Sequence, residues 1–87
     1  MPRSSSQEAV KLIFFGILGE LTGCRDAMVP ISGPTPLVEV LAGYLTPMQA
    51  TELSVRAWVN GEPKSIEFDS LVRPGDEIAL LPPSSGG

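Results

Sequence analysis

The sequence contains no histidine. That removes the commonest general base, imidazole metal ligation and every catalytic arrangement built on a Ser-His or Cys-His pair. Its single cysteine, Cys24, can form neither an internal disulfide nor a cysteine-based zinc site. Long apolar runs are also missing. The longest, Leu12 to Leu18, already includes Gly16 and is far too short to span a bilayer. The six basic residues (Arg3, Lys11, Arg25, Arg56, Lys64, Arg73) are scattered, with no cluster that would track phosphates, so nucleic acid is not an expected partner. The opening Met1-Pro2-Arg3-Ser4-Ser5-Ser6-Gln7-Glu8 lacks the charged-then-apolar order of a secretory signal. The expectation is a cytoplasmic domain without membrane contact and with little catalytic equipment of its own.

What is present points to a small, turn-rich domain. The 87 residues support one modest core. Nine Gly and nine Pro make 18 of 87, well above the usual share of roughly 12%, so elements should be short. The net charge is −4, and Glu62, Glu67, Asp69, Asp76 and Glu77 fall close together. Two readings of that lean stay open: a solvated acidic face, or steering toward a basic partner. No metal signature accompanies Asp69, Asp76 and Glu77, because other ligands at the required spacing are missing.

Along the chain, residues 1–9 read as a flexible N-terminus, 10–81 as the domain and 82–87 as a flexible tail. Val10 to Leu18 is β-branched and aromatic, and its continuity predicts a central strand covered on both faces. A loop punctuated by Gly19, Gly23 and Asp26 precedes a short strand over Ala27–Ile31, broken by Ser32-Gly33-Pro34. Thr35 as cap and Pro36 at the first helical position predict a helix to Leu45, with Leu37, Val38, Leu41, Tyr44 and Leu45 on one apolar face. Thr46-Pro47-Met48-Gln49 fits a capping box, extending helix to Leu53. Val55, Ala57 and Val59 alternate with Arg56, Trp58 and Asn60, the period of a half-buried strand. Asn60-Gly61 is a hairpin signal of the type I′ kind, with the return strand expected over Ser65–Phe68. Arg73-Pro74-Gly75-Asp76 fits a type II turn before a last strand, Glu77–Leu81. The order β-β-α-β-β-β predicts an α+β layer pair: a sheet of four to five strands covered on one face by one main helix.

Pro82-Pro83-Ser84-Ser85-Gly86-Gly87 has no hydrophobic side chain expected to dock, and if extended it reaches roughly 20 Å at about 3.3 Å per residue. A Gly-Gly backbone can thread a narrow channel, and a carboxylate borne by Gly87 has no bulky neighbour. Such a carboxylate can be activated elsewhere, by adenylation for instance, and attacked as an acyl donor. An incidental or artificial Gly-Gly end is the plain alternative.

Three stretches carry a family resemblance across residues 10–87. They are Val10-Lys11-Leu12-Ile13-Phe14-Phe15-Gly16 with Glu20-Leu21-Thr22-Gly23, then Val59-Asn60-Gly61-Glu62, and the run from Leu71 through Arg73-Pro74-Gly75-Asp76-Glu77 to Gly87. With them the sequence resembles the ubiquitin-like β-grasp sulfur carriers, and within those the small subunit of molybdopterin synthase. The resemblance implies a mixed β-grasp sheet and a carrier that is not an enzyme on its own. It also implies that an ATP-using, ubiquitin-activating-enzyme-like adenylyltransferase activates Gly87, that sulfur replaces AMP to give a thiocarboxylate, and that the tail enters the large synthase subunit. Sulfur would there reach cyclic pyranopterin monophosphate, on the way to the molybdenum cofactor. Gly86 would supply clearance, and no cofactor would be bound tightly. Carriers serving thiamine or cysteine synthesis, and modifiers that join a target lysine, remain alternatives.

The expected partner-binding residues are Phe14, Phe15, Trp58, Pro82, Pro83, Ser84 and Ser85. Phe14 and Phe15 point to opposite faces, so one is core and the other core or partner surface. Trp58 is an interface anchor if its face is open, and a covered residue if not. Cys24 sits beside Arg25 in the setting of a reactive thiol, but a small packing residue is the favoured reading. Met28 and Met48 are expected to fill gaps in the core.

Overall fold

The computed structural model describes residues 8–66 and 70–83. It contains, in order, β1 (Ala9–Phe14), α1 (Ile17–Thr22), β2 (Asp26–Pro30), β3 (Thr35–Pro36), α2 (Leu37–Leu41), α3 (Pro47–Glu52), β4 (Arg56–Val59), β5 (Glu62–Lys64), β6 (Leu71–Val72) and β7 (Glu77–Leu81). Five strands form one mixed sheet in the order β2-β1-β7-β4-β5, and β3 pairs with β6 apart from it. The β1–β7 pair is parallel; β1–β2, β4–β7 and β4–β5 are antiparallel. Strand β7 is therefore the middle of the sheet, with β1 beside it rather than at the centre.

One face of this sheet carries the core. Val10, Leu12 and Phe14 of β1, Ile78 and Leu80 of β7, and Ala57 and Val59 of β4 are buried there, against Leu37, Val40, Leu41 and Leu45. Phe14 packs on Tyr44 with ring centroids 5.4 Å apart, a tilted aromatic contact. The helical spacing thus lays the expected apolar face on the sheet, with Leu37, Leu41 and Leu45 buried and Val38 and Tyr44 packed beside them.

Several boundaries differ from the sequence expectation. The apolar run from Val10 is not one strand to Leu18: Gly16, at φ 58°, turns the chain and Ile17 opens a helix that buries Leu18. Gly23, at φ 83°, closes that helix, donating its N–H to Gly19 O at 3.0 Å. Nor is β1 covered on both faces, because Lys11 and Phe15 are exposed opposite the core. Thr35 does not cap a helix. It is paired with Val72 in β3, its hydroxyl donates to Gly33 O at 2.9 Å, and the helix begins at Leu37 and ends at Leu41. The return strand follows the hairpin at once, at Glu62–Lys64; Ile66 is buried, and residues 67–69 of the expected Ser65–Phe68 strand lie outside the described residues. Strand β6 had no sequence signal of its own. Met28 and Met48 are 55% and 70% exposed, so neither fills the core. Met28 follows the outer parity of edge strand β2, and Met48 sits in the first turn of α3.

Other expectations hold. Thr46 and Gln49 form the capping box of α3, with Gln49 N–H donating to Thr46 Oγ1 at 3.1 Å and Thr46 N–H to Gln49 Oε1 at 2.9 Å. Asn60 and Gly61 take φ 52° and 87°, as the hairpin turn requires. Gly75, at φ 94°, and the 3.1 Å bond from Asp76 N–H to Arg73 O make the turn before β7. Cys24 is partly buried, packed against the core, and its thiol lies 3.9 Å from Thr22 Oγ1.

Candidate functional site

The register decides which side chains share the open face of the sheet. Ile13 is opposite Ala79, and Ala79 is opposite Trp58, which faces Pro63 at the edge. One strand-step along, Leu81 is opposite Arg56, and Phe15 continues the outward parity of Lys11 and Ile13. Phe15 is fixed there because its N–H donates to Leu80 O at 3.0 Å, carrying the β1–β7 pairing past the end of β1. The result is an apolar strip of Ile13, Phe15, Trp58, Ala79 and Leu81 around a shallow groove. Phe15 is 46% and Trp58 39% exposed. Charged side chains rim it: Lys11 and Glu77 at one end, Arg56 at the other.

This placement sorts the expected partner residues. Phe14 is 4% exposed and belongs to the core, so it cannot face a partner; the outward alternation passes to Phe15. Trp58 stands on the open face, where no layer of the described residues covers it. Pro82 is half-buried, and Pro83 is exposed. Ser84, Ser85, Gly86 and Gly87 lie outside the described residues.

The root of the tail is held firmly. Leu81 ends the middle strand, which is hydrogen-bonded to β1 on one side and β4 on the other. Beyond it, Pro82 and Pro83 line a largely apolar groove together with Gly16, Ile17, Leu18, Leu53 and Ser54, with Glu52 at the same groove. Ile17 and Leu21 of α1, 56% and 54% exposed, extend apolar surface beside that groove. Sequence reasoning missed them because it read one strand through Leu18. Gly16 and Gly23, seven residues apart and bracketing ILGELT, were the available signal for a short helix.

Opposite the tail, two turns are clasped. Asn60 N–H donates to Glu77 O at 2.8 Å, Asn60 Nδ2 to Asp76 Oδ1 at 2.9 Å, and Glu77 N–H to Asn60 Oδ1 at 2.9 Å. Asp76 Oδ2 also accepts from Arg73 N–H at 2.9 Å. Among the described residues, no three His, Cys, Asp or Glu side chains gather as a metal site, and no helix is long and apolar enough to cross a membrane.

No family model and no curated protein matches the sequence. Solved structures do match the fold. Small archaeal modifier protein 1 of Haloferax volcanii aligns with TM-score 0.69 over 91% of this chain and 99% of that one, at 23% identity. The putative molybdopterin converting factor subunit 1 of Pyrococcus furiosus aligns with TM-score 0.66 over 87% and 98%, at 19% identity. Urm1 of Sulfolobus solfataricus aligns with TM-score 0.57 over 83% and 97%, at 19% identity. The chain has the ubiquitin-like β-grasp fold that these small proteins share.

Proposed function

We propose that the chain is the sulfur-carrier subunit of a molybdopterin synthase. The observation that carries this reading is the apolar strip of Ile13, Phe15, Trp58, Ala79 and Leu81, which runs straight into the tail root at Pro82. A partner that covers the strip takes hold of the sheet beside the point where the tail departs. The Gly86-Gly87 pair then reaches the partner's interior without side chains to obstruct it. The likeness to a molybdopterin converting factor subunit supports the same reading.

In this proposal the Gly87 carboxylate attacks the α-phosphorus of ATP in a ubiquitin-activating-enzyme-like adenylyltransferase, releasing pyrophosphate. A hydrosulfide equivalent adds to the acyl carbon and displaces AMP, leaving a thiocarboxylate. The large synthase subunit then directs that sulfur to cyclic pyranopterin monophosphate. This chain's residues supply the docking face and the acyl group, and the catalytic groups belong to the partners.

The likeness to an archaeal modifier protein supports a second reading, in which Gly87 forms an amide with a target lysine. Carriers for thiamine or cysteine synthesis would share the thiocarboxylate but not the acceptor. Intact mass after incubation with ATP, an activating enzyme and a sulfur donor separates these readings. A gain equal to exchanging one oxygen for sulfur, followed by dithiolene formation on the pterin with the large subunit, is the expected result. A lysine-linked conjugate and no thiocarboxylate would establish the modifier instead.

A further inference from the structure

Just past the end of β7 the chain makes one close approach, between Gly16 and Pro82. Gly16 adopts φ 58° and ψ −137°, a conformation that residues with a Cβ rarely adopt. A Cβ placed on Gly16 would lie 3.1 Å from Pro82 Cγ and 3.7 Å from Pro82 Cδ, so the proline ring occupies the space above the bare Gly16 backbone. The ring has little freedom to move away. Its own φ is fixed by the pyrrolidine, and Pro83 behind it restricts Pro82 to extended angles. In front of it, Leu81 is in register with Arg56, and Leu80 O accepts the Phe15 N–H, so neighbouring backbone is fixed on both sides.

We infer that Gly16 and Pro82 are a positioning pair, in which the ring seated on Gly16 fixes the backbone of the tail root at Pro82 and Pro83. The inference rests on the carrier reading for its consequence, because a fixed root spares a partner's channel the ordering of that segment. Neither residue touches a reacting atom; both act through the tail. Ordering one residue's backbone costs roughly 1–2 kcal/mol, so releasing the root should weaken productive engagement about tenfold.

The test uses the full chain with Cys24→Ser and nitroxide labels at Glu39→Cys, an exposed position of α2, and Ser84→Cys. Pulsed electron resonance gives the distance distribution between them. We expect a narrow distribution in this parent and a broader one in Pro82→Gly, at an unchanged thermal midpoint. Gly16→Ala should shift or broaden it too; because that variant can fail to fold, Pro82→Gly stands as the primary test. In the unlabelled chain, Pro82→Gly should raise KM for thiocarboxylate formation about tenfold with kcat unchanged. A distribution as narrow in Pro82→Gly as in the parent overturns the inference, and so does a broader one with unaltered kcat/KM. If the parent forms no thiocarboxylate, the carrier reading fails, and the distance distributions alone decide whether Gly16 and Pro82 fix the tail root.

Discussion

Asn60 and Asp76 hold each other across two turns: the Asn60 amide donates to the Asp76 carboxylate at 2.9 Å, and the two residues are sixteen apart in sequence. The contact fastens the β4–β5 hairpin to the turn that feeds β7. Two of the stretches that carry the family resemblance therefore meet in space for a structural reason.

Substitutions at Asn60 should separate conformation from contact. Asn60→Gly keeps the positive φ but loses two side-chain hydrogen bonds, and at this exposed site should cost about 1 kcal/mol. Asn60→Ala adds roughly another 1 kcal/mol of left-handed backbone strain. Urea denaturation of both, with Asp76→Ala and the double variant Asn60→Gly/Asp76→Ala, should show non-additive losses. Additive losses would mean that the 2.9 Å contact contributes nothing.

The adjacent phenylalanines should behave in opposite ways. Phe14→Ala should cost about 3–5 kcal/mol by opening a cavity against Tyr44. Phe15→Ala and Trp58→Ala should cost under about 1 kcal/mol, yet, on the carrier reading, weaken binding to a large synthase subunit at least about tenfold. Calorimetry of folding and of binding on the same samples tests both halves. Intact affinity in Trp58→Ala would remove that residue from the interface.

Ser54 ends α3 at φ 54°, with Ser54 N–H bonded to Thr51 O at 3.1 Å and Val55 N–H to Ala50 O at 2.9 Å. A glycine is the ordinary occupant of this position. Ser54→Gly should gain roughly 0.5–1 kcal/mol and raise the melting temperature by a few degrees. A lower melting temperature would show that the serine side chain contributes more than its backbone strain.

How much of this was legible in the sequence depended on how local the signal was. The hairpin at Asn60-Gly61, the turn at Pro74-Gly75, the Thr46 capping box and strand β7 each follow from three or four adjacent residues. What failed needed long-range partners. Thr35 reads as a helix cap until Val72, far along the chain, pairs with it. The run through Leu18 reads as one strand because a strand bearing an apolar binding face looks, residue by residue, like a strand buried on both sides. Trp58 could be assigned to a face by alternation, but whether that face was open required the sheet order.

The terminal pair gives the most direct chemical prediction. On the carrier reading, adding one residue after Gly87, or changing Gly86 to Val, should abolish sulfur transfer at unchanged thermal stability, since the proposed reactive carboxyl moves or loses its clearance. Substitutions at Ser84 or Ser85 should matter less. Mass spectrometry of the thiocarboxylate reads both. Full pterin dithiolene formation by an extended, untrimmed chain would refute the acyl-carrier mechanism.

Strand β7 follows every other described element in the chain, and it alone bridges β1 and β4. A nascent polypeptide stopped before Glu77 holds two separate hairpins and no continuous sheet, with Leu12 and Val59 lacking the strand that lies between them. Closure must await this late, long-range pairing, which is the slow kind of contact to form. The apolar strip, too, does not exist until Ala79 and Leu81 arrive to join Ile13 with Trp58. A partner that recognises strip and tail together therefore inspects maturation as well as identity: an incompletely folded copy offers it nothing to grip.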